Sequence, residues 1–255
     1  MAFQDHFSKL AKEYSRHRPM YPAEMFAYLS SLAPLKELAW DCGTGNGQAA
    51  MGLARWFERV VATDGSQEQL RQAARHPRIT YLAEQAERTT IDSGVVDLVT
   101  AGTAVHWFDL DSFYREVRRV SKGGAILAVW TYHLPIIETL VDRWLEDFYR
   151  VKLADYWPAR IEYLDKKYRT LPFPFEEIEA PPFSAVADWD VYCLVGFLSS
   201  WSASRRYVDA KGEEAFGRFM QELMEVWGDI GSRTITWPLH FRIGRIRKSA
   251  PLRSM

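Results

Sequence analysis

The residues best placed by type and spacing to do chemistry lie between Leu38 and Asp64. Leu38-Ala39-Trp40 is a short apolar run that ends in Asp41, and Gly43, Gly45 and Gly47 follow at alternate positions. Glycine serves where a backbone takes positive φ or comes close to a ligand. A glycine-rich turn from a buried strand into a helix is the usual nucleotide-derivative site of a doubly wound sheet. The dinucleotide fingerprint GxGxxG needs a glycine where this chain has Gln48, which disfavours a nicotinamide-dependent dehydrogenase. Asp41, just before the first glycine, is positioned to reach a ligand ammonium group. Asp64 ends the next apolar run, Val60-Val61-Ala62-Thr63. A carboxylate there can accept both ribose hydroxyls of an adenosine, or cap the helix that follows.

A second set of reactive side chains lies further on. His106 and Trp107 follow one apolar run, and Tyr132 and His133 follow another. Each histidine can act as a base, bind a substrate oxygen, or simply wall a pocket. Trp201 is a substrate wall or core. Arg205-Arg206 can meet an acidic substrate or form a solvated face. There is no GxSxG nucleophile elbow and no Walker lysine motif. The six histidines lack ligand spacing, so no metal is expected.

The bulk numbers narrow the classes. A net charge of −1 gives no argument for nucleic acid or an anionic membrane. The basic stretch Arg242 to Arg253 is the one nucleic-acid candidate, and its interleaving with a strand reads better as a solvent-facing edge. The two cysteines, Cys42 and Cys193, form no CxxC pair, which fits a reducing compartment, and Cys42 reads as a small buried filler. No apolar run approaches a membrane span and no export segment stands out, so a cytoplasmic protein is expected. The 10 Trp, 12 Tyr and 14 Phe imply a large core or an aromatic-lined pocket.

The elements that must position these residues follow from periodicity. Residues 3–14 predict a short helix, and Pro19 and Pro22 stiffen an extended crossing before a helix over about 22–33. Strands are predicted at 38–41, 60–63, 79–82, 95–101 and 125–130. Helices are predicted at about 46–57, from the cap Ser66 to about 75, and from Asp109 or Asp111 to about 120, where Gly123-Gly124 ends the last. Strands alternating with helices imply a parallel sheet covered on both faces. Residues 134–169, 190–201 and 211–227 read as helical, with a proline cluster at 172–182 between the first two. Residues 234–246 read as a final strand, with Pro238 marking an edge or a bulge.

At this point the chain resembles a class I S-adenosylmethionine-dependent methyltransferase. Asp41-Cys42-Gly43-Thr44-Gly45-Asn46-Gly47 is similar to the family's first motif, and Asp64 to the acid after its second strand. Glu84-Gln85-Ala86-Glu87 aligns with the adenine-holding segment, with an amide where the family often has a carboxylate. Val96-Asp97-Leu98-Val99, Ala104-Val105-His106-Trp107-Phe108 and Gly123-Gly124-Ala125 complete the series, so the resemblance covers about 35–133. The resemblance implies S-adenosylmethionine as cofactor and S-adenosylhomocysteine as product. It implies cofactor contacts from Tyr14, Arg18, Asp41, Gly43, Thr44, Gly45, Gly47, Asp64, Gly65, Ser66, Gln85, Ala86, Ala101 and His106. It leaves Trp107, His133, Trp201 and Arg205 for substrate, and His106 or Tyr132 for catalysis. A narrower resemblance, to the trans-aconitate methyltransferase branch, rests on Tyr14, Arg18-Pro19, Tyr21-Pro22, His106-Trp107-Phe108 and Ser200-Trp201-Ser202. It implies that the N-terminal segment folds over the cofactor, with Tyr14 near its methionine end. Arg18 then lies near the cofactor carboxylate, or else in a surface ion pair.

These readings combine into a doubly wound Rossmann-like α/β sheet, mainly parallel with a C-terminal antiparallel strand, plus a mostly helical cap. The cofactor core is 1–133, the substrate cap 134–230, and the returning strand and tail 231–255. The expected activity is methyl transfer to a small organic molecule, on oxygen, with a carboxylate among the candidates; the alternative is a non-catalytic module that only binds the cofactor. Neither nucleic acid nor membrane is expected as a partner, and the oligomeric state is not readable. Such a reaction depends on alignment and water exclusion. A base is needed only when the nucleophile is a neutral hydroxyl or an acidic carbon.

Overall fold

The computed structural model describes residues 18–247. The helix expected over 3–14, Tyr14 and the tail beyond 247 lie outside them. In chain order come α1 (Ala23–Leu32), β1 (Leu38–Cys42), α2 (Gln48–Leu53), β2 (Arg59–Thr63), α3 (Gln67–Arg71), β3 (Ile79–Leu82), β4 (Val96–Gly102), α4 (Leu110–Val120) and β5 (Ser121–Tyr132). A mostly helical block follows: α5 (Thr139–Asp147), α6 (Glu162–Asp165), two strands β6 (Glu176–Ile178) and β7 (Phe183–Trp189), then α7 (Val191–Ser199), α8 (Ser202–Lys211) and α9 (Glu213–Trp227). The long strand β8 (Arg233–Arg245) closes the series.

One sheet runs in the order β3-β2-β1-β4-β5-β8-β6, with β7 also on β8. The strands β1 to β5 pair in parallel, and β8 is antiparallel to β5, as expected. Every residue of β1 is buried. Leu38, Trp40 and Cys42 pack with Phe113 and Val117 of α4, and Ala39 packs on the other face with Phe26, Leu29 and Leu53. A strand covered on both faces reads as a continuous apolar run, which is why β1 was visible in the sequence. β1 is flanked by β2 and β4, so the chain leaves this pair in opposite directions and opens a crevice at their carboxyl ends. Ser66 accepts from Gln69 N and Asp109 from Ser112 N, so both predicted caps sit where the helices start.

Two readings need correction. Gly123-Gly124 does not stop α4; Val120 ends that helix, and the two glycines lie in β5 where its register against β4 shifts. Glycine marks helix stops and strand bulges alike, so the sequence alone could not separate them. The 134–230 block is mostly helical, as expected, and also contributes β6 and β7 to the sheet. Pro238 does not mark an edge strand: β8 has β5 on one side and β6 and β7 on the other. Its pairing with β5 ends at Leu239, so the missing proline donor leaves that ladder intact. Residues 134–169 are helical in pieces: α5, a π-helical turn at Phe148–Lys152, two short 3-10 turns and α6. Among the described residues no helix is long and apolar enough to cross a membrane.

One buried charge sets the start of the crevice-forming strands. Asp97 of β4 is 0% exposed. Its Oδ2 accepts from Glu37 N and Leu38 N at 3.0 Å, and Lys122 Nζ lies 2.9 Å from Oδ1. The carboxylate therefore ties the entries of β1, β4 and β5 together. Removing one partner from such a cluster leaves the others buried and unpaired. Asp97→Ala should lower stability by about 3 kcal/mol in urea denaturation. A loss under about 1 kcal/mol would show that these contacts are dispensable.

Candidate active site

The glycine turn is built as its spacing requires. Gly43, Gly45 and Gly47 have φ of 64°, 57° and 85°. A Cβ on Gly43 would stand 2.7 Å from Ala104 Cβ, and one on Gly47 would stand 2.5 Å from the Tyr81 hydroxyl. Both positions exclude a side chain by space as well as by conformation. At Gly45 a Cβ would meet nothing within 4 Å, so this backbone faces open crevice. That cradle fits a ligand lying against the main chain.

Two carboxylates hold the turn. Asp41 is 1% exposed and accepts from Thr44 Oγ1 at 2.5 Å and Thr100 Oγ1 at 2.7 Å. Its oxygens are engaged inside the protein, bridging the turn to β4. Burial raises its pKa to about 6. Asp64 Oδ2 accepts from Gly45 N and Oδ1 from Ser66 N, each at 2.8 Å. The helix cap beside it is Ser66, so Asp64 is not capping α3. Thr44 is buried and its N–H donates to Thr63 O. Gly65 and Gln85 are exposed at the ends of β2 and β3, and Ala86 is buried. Ala101 is fully buried in the core, away from the cavity.

A second cavity of about 100 Å³ opens beyond β4 and β5. Its polar lining includes Arg18, Thr103, His106, Tyr132 and His133, and its walls include Trp107, Tyr149, Trp157, Phe197 and Trp201. It adjoins the glycine turn because Ala104, which touches Gly43, sits between Thr103 and His106. Arg18 Nη1 donates to the Tyr132 hydroxyl at 2.8 Å and lies over the Phe197 ring. The expected His106, Trp107, Tyr132, His133 and Trp201 thus meet in one place. Arg205 does not line this cavity, and its Nη1 is buried with no hydrogen-bond partner among the described residues.

The two cavity histidines differ. His106 is buried, its Nδ1 lies 2.8 Å from the Tyr168 hydroxyl, and burial followed by the Arg160 charge drives its pKa down to about 3. His133 Nε2 lies 3.0 Å from Asp165 Oδ1, and the same oxygen accepts from the Tyr149 hydroxyl at 2.8 Å. Burial lowers the His133 pKa against the upward pull of Asp165. Sequence reading missed Asp165, Tyr149, Tyr168 and Thr103. Thr103 has φ of 53° and a buried hydroxyl with no hydrogen-bond partner among the described residues. Positive φ is unusual for a β-branched residue, and such strain clusters at functional sites. Among the described residues no group of acidic, histidine and cysteine side chains could hold a metal ion.

Known proteins show the same pattern. A methyltransferase domain model matches residues 40–129. A methyltransferase of Dictyostelium discoideum is 29% identical over 95% of both chains. An uncharacterized methyltransferase of Mycobacterium bovis is 30% identical over 79% of this chain and 76% of its own. The structure of a type II methyltransferase from Anaeromyxobacter dehalogenans is 41% identical, covers 91% of this chain and 99% of its own, and superposes with a TM-score of 0.82.

The site's buried groups make opposite contributions to stability against pH. Asp41 has a folded pKa of about 6 against 3.8, so its contribution is full below 3.8 and lost as pH rises through about 6. His106, at about 3 against 6.5, contributes above 6.5 and loses that contribution as pH falls through about 3. Denaturant titrations of wild type and Asp41→Asn across this range should diverge by up to about 3 kcal/mol, with wild type losing more as pH rises. Parallel curves would place Asp41 in an ordinary solvated environment.

Proposed function

The chain belongs to the class I S-adenosylmethionine-dependent methyltransferases, and on that premise we propose that it methylates an oxygen of a small organic acceptor. The observation that carries this reading is the contact of the glycine turn with the aromatic cavity through Gly43 and Ala104. The two halves of a methyl-transfer site then share one wall. Pockets with apolar walls and a few convergent polar groups suit small organic ligands.

The residues fit the cofactor. The backbone of Gly43 to Gly47 follows the ligand, Asp64 holds the ribose, and Gln85 and Ala86 border the adenine. Thr44, Gly65 and Ser66 shape the same edge. Asp41 acts from beneath by fixing Thr44, and Arg18 supplies a positive charge between the cofactor and acceptor ends. Bound there, S-adenosylmethionine supplies a methyl group on a sulfonium sulfur. The chain's own work is then alignment and water exclusion. Trp107, Trp157 and Trp201 wall the acceptor, and the Arg18–Tyr132 pair orients a polar group on it. His106, neutral across the ordinary pH range, is a hydrogen-bonding wall.

Calorimetry tests the cofactor half. Wild type should bind S-adenosylmethionine and S-adenosylhomocysteine, and Asp64→Ala should weaken both by about tenfold or more, equal to about 1.4 kcal/mol. Unchanged affinity in the variant would remove Asp64 from the site. No binding to wild type would remove the reading itself.

A further inference from the structure

We propose that His133, held by Asp165, is the catalytic base that takes the proton from an acceptor hydroxyl, so the acceptor reacts as a phenol or enol rather than as a carboxylate. This rests on the reading of methyl transfer to oxygen given above.

The geometry begins with Asp165. An ionised carboxylate can only accept hydrogen bonds. Its Oδ1 meets both His133 Nε2 and the Tyr149 hydroxyl. In the neutral imidazole the proton therefore sits on Nε2, and the lone pair is on Nδ1. Nδ1 makes no hydrogen bond among the described residues, and the side chain is 14% exposed where it lines the cavity. The Tyr149 ring packs edge-on at 4.9 Å and fixes the plane of the imidazole. This is an oriented base in the sense of a carboxylate–histidine pair.

Asp165 is itself fixed from behind. Lys167 and Tyr168 both take positive φ, 55° and 59°. Tyr168 is fully buried, with its hydroxyl on His106 Nδ1 and its carbonyl accepting from Arg242 Nη1 at 3.0 Å. Two consecutive residues in a sparsely populated conformation need surrounding contacts to hold them. Here those contacts set the short segment that carries Asp165 against the cavity.

The electrostatics suit the role. The charged and titratable groups around His133 are Asp165, Tyr149, Arg150, Glu146 and His240. Burial keeps the ring neutral and ready to accept, while Asp165 stabilises the imidazolium once it forms. His106 lacks this support: Tyr168 occupies one nitrogen and burial with the Arg160 charge opposes protonation. A carboxylate acceptor arrives ionised and gives such a base nothing to do. In the step, the acceptor O–H bond breaks and its proton passes to Nδ1. The oxygen pair forms the bond to the methyl carbon while the carbon–sulfur pair returns to sulfur. The positive charge lost from sulfur appears on His133 beside Asp165, and the proton then leaves to water.

Histidine-labelled protein reports the tautomer by proton–nitrogen correlation spectra without any acceptor. His133 should be the Nε2–H form near neutral pH, and Asp165→Asn should lower its pKa. Assays with para-nitrophenol, catechol and benzoate as probe acceptors then read the step. His133→Gln should lower kcat/KM for the hydroxyl probes by about 10²–10⁴-fold with S-adenosylhomocysteine affinity unchanged. The rising limb of the pH profile should vanish in that variant and move to lower pH in Asp165→Asn, which a merely structural latch would not produce. An Nδ1–H tautomer in wild type overturns the proposal whatever the probes or the folding of the variants show. So does turnover of benzoate alone, or hydroxyl turnover within threefold of wild type in His133→Gln. Absence of cofactor binding would instead fail the reading on which the proposal rests.

Discussion

The glycine turn after β1 is gripped by two carboxylates, and the rest of the site depends on that grip. Asp41 meets it from inside through Thr44 and Thr100, and Asp64 from the side through Gly45 N. A turn with three residues at positive φ has high conformational entropy in the unfolded chain, so it needs such anchors to keep one shape. The cost is visible at Asp41, where a fully buried carboxylate is pushed up to about 6 despite two hydroxyl donors. Strain and unfavourable burial of this kind are tolerated where a backbone must be held ready for a ligand.

The aromatic cavity is assembled by a different logic. No single loop carries it. β5 brings Tyr132 and His133, the turn after β4 brings Thr103 and His106, and the helical block brings Tyr149, Trp157 and Trp201. Arg242 of β8 then reaches across to the carbonyls of Tyr168, Arg169 and Leu171, while its guanidinium also pairs with Glu177. β8, next to β5 in the sheet, thereby fixes the segment that supports both histidines. The described arginines of the basic C-terminal stretch are largely occupied in this way, with Arg247 on Glu176 and Arg245 on the Gly124 carbonyl.

The glycine turn and its flanking elements were legible because their signals are local. The strand Leu38–Cys42, the alternating glycines, Asp64 and the cap Ser66 all act within a few residues of one another. The aromatic cavity was only partly legible. His106, Tyr132 and His133 could be placed because each comes soon after the end of a predicted strand. Asp165 lies in a short charged segment whose pattern reads as solvated surface, and only the tertiary fold brings it to His133. Phe173 and Phe175 sit in the proline cluster, where no strand was expected. In fact their rings pack on Tyr114, and Gly244 leaves room for them because a Cβ there would stand 2.5 Å from Phe175 Cβ. The short strand β6 follows from that docking, a contact no local pattern encodes. Spacing singled out Asp41 but could not show its hydroxyl partners Thr44 and Thr100, since it does not say which way a carboxylate turns.

The central claim is methyl transfer from the cofactor to an acceptor oxygen in the aromatic cavity. Its most direct measurement is mass spectrometry of products formed with S-adenosylmethionine carrying a deuterated methyl group. The expected result is a labelled product whose fragmentation places the intact deuterated methyl on oxygen, formed together with S-adenosylhomocysteine. Label found on nitrogen or carbon, or S-adenosylhomocysteine released without a labelled product, would contradict it.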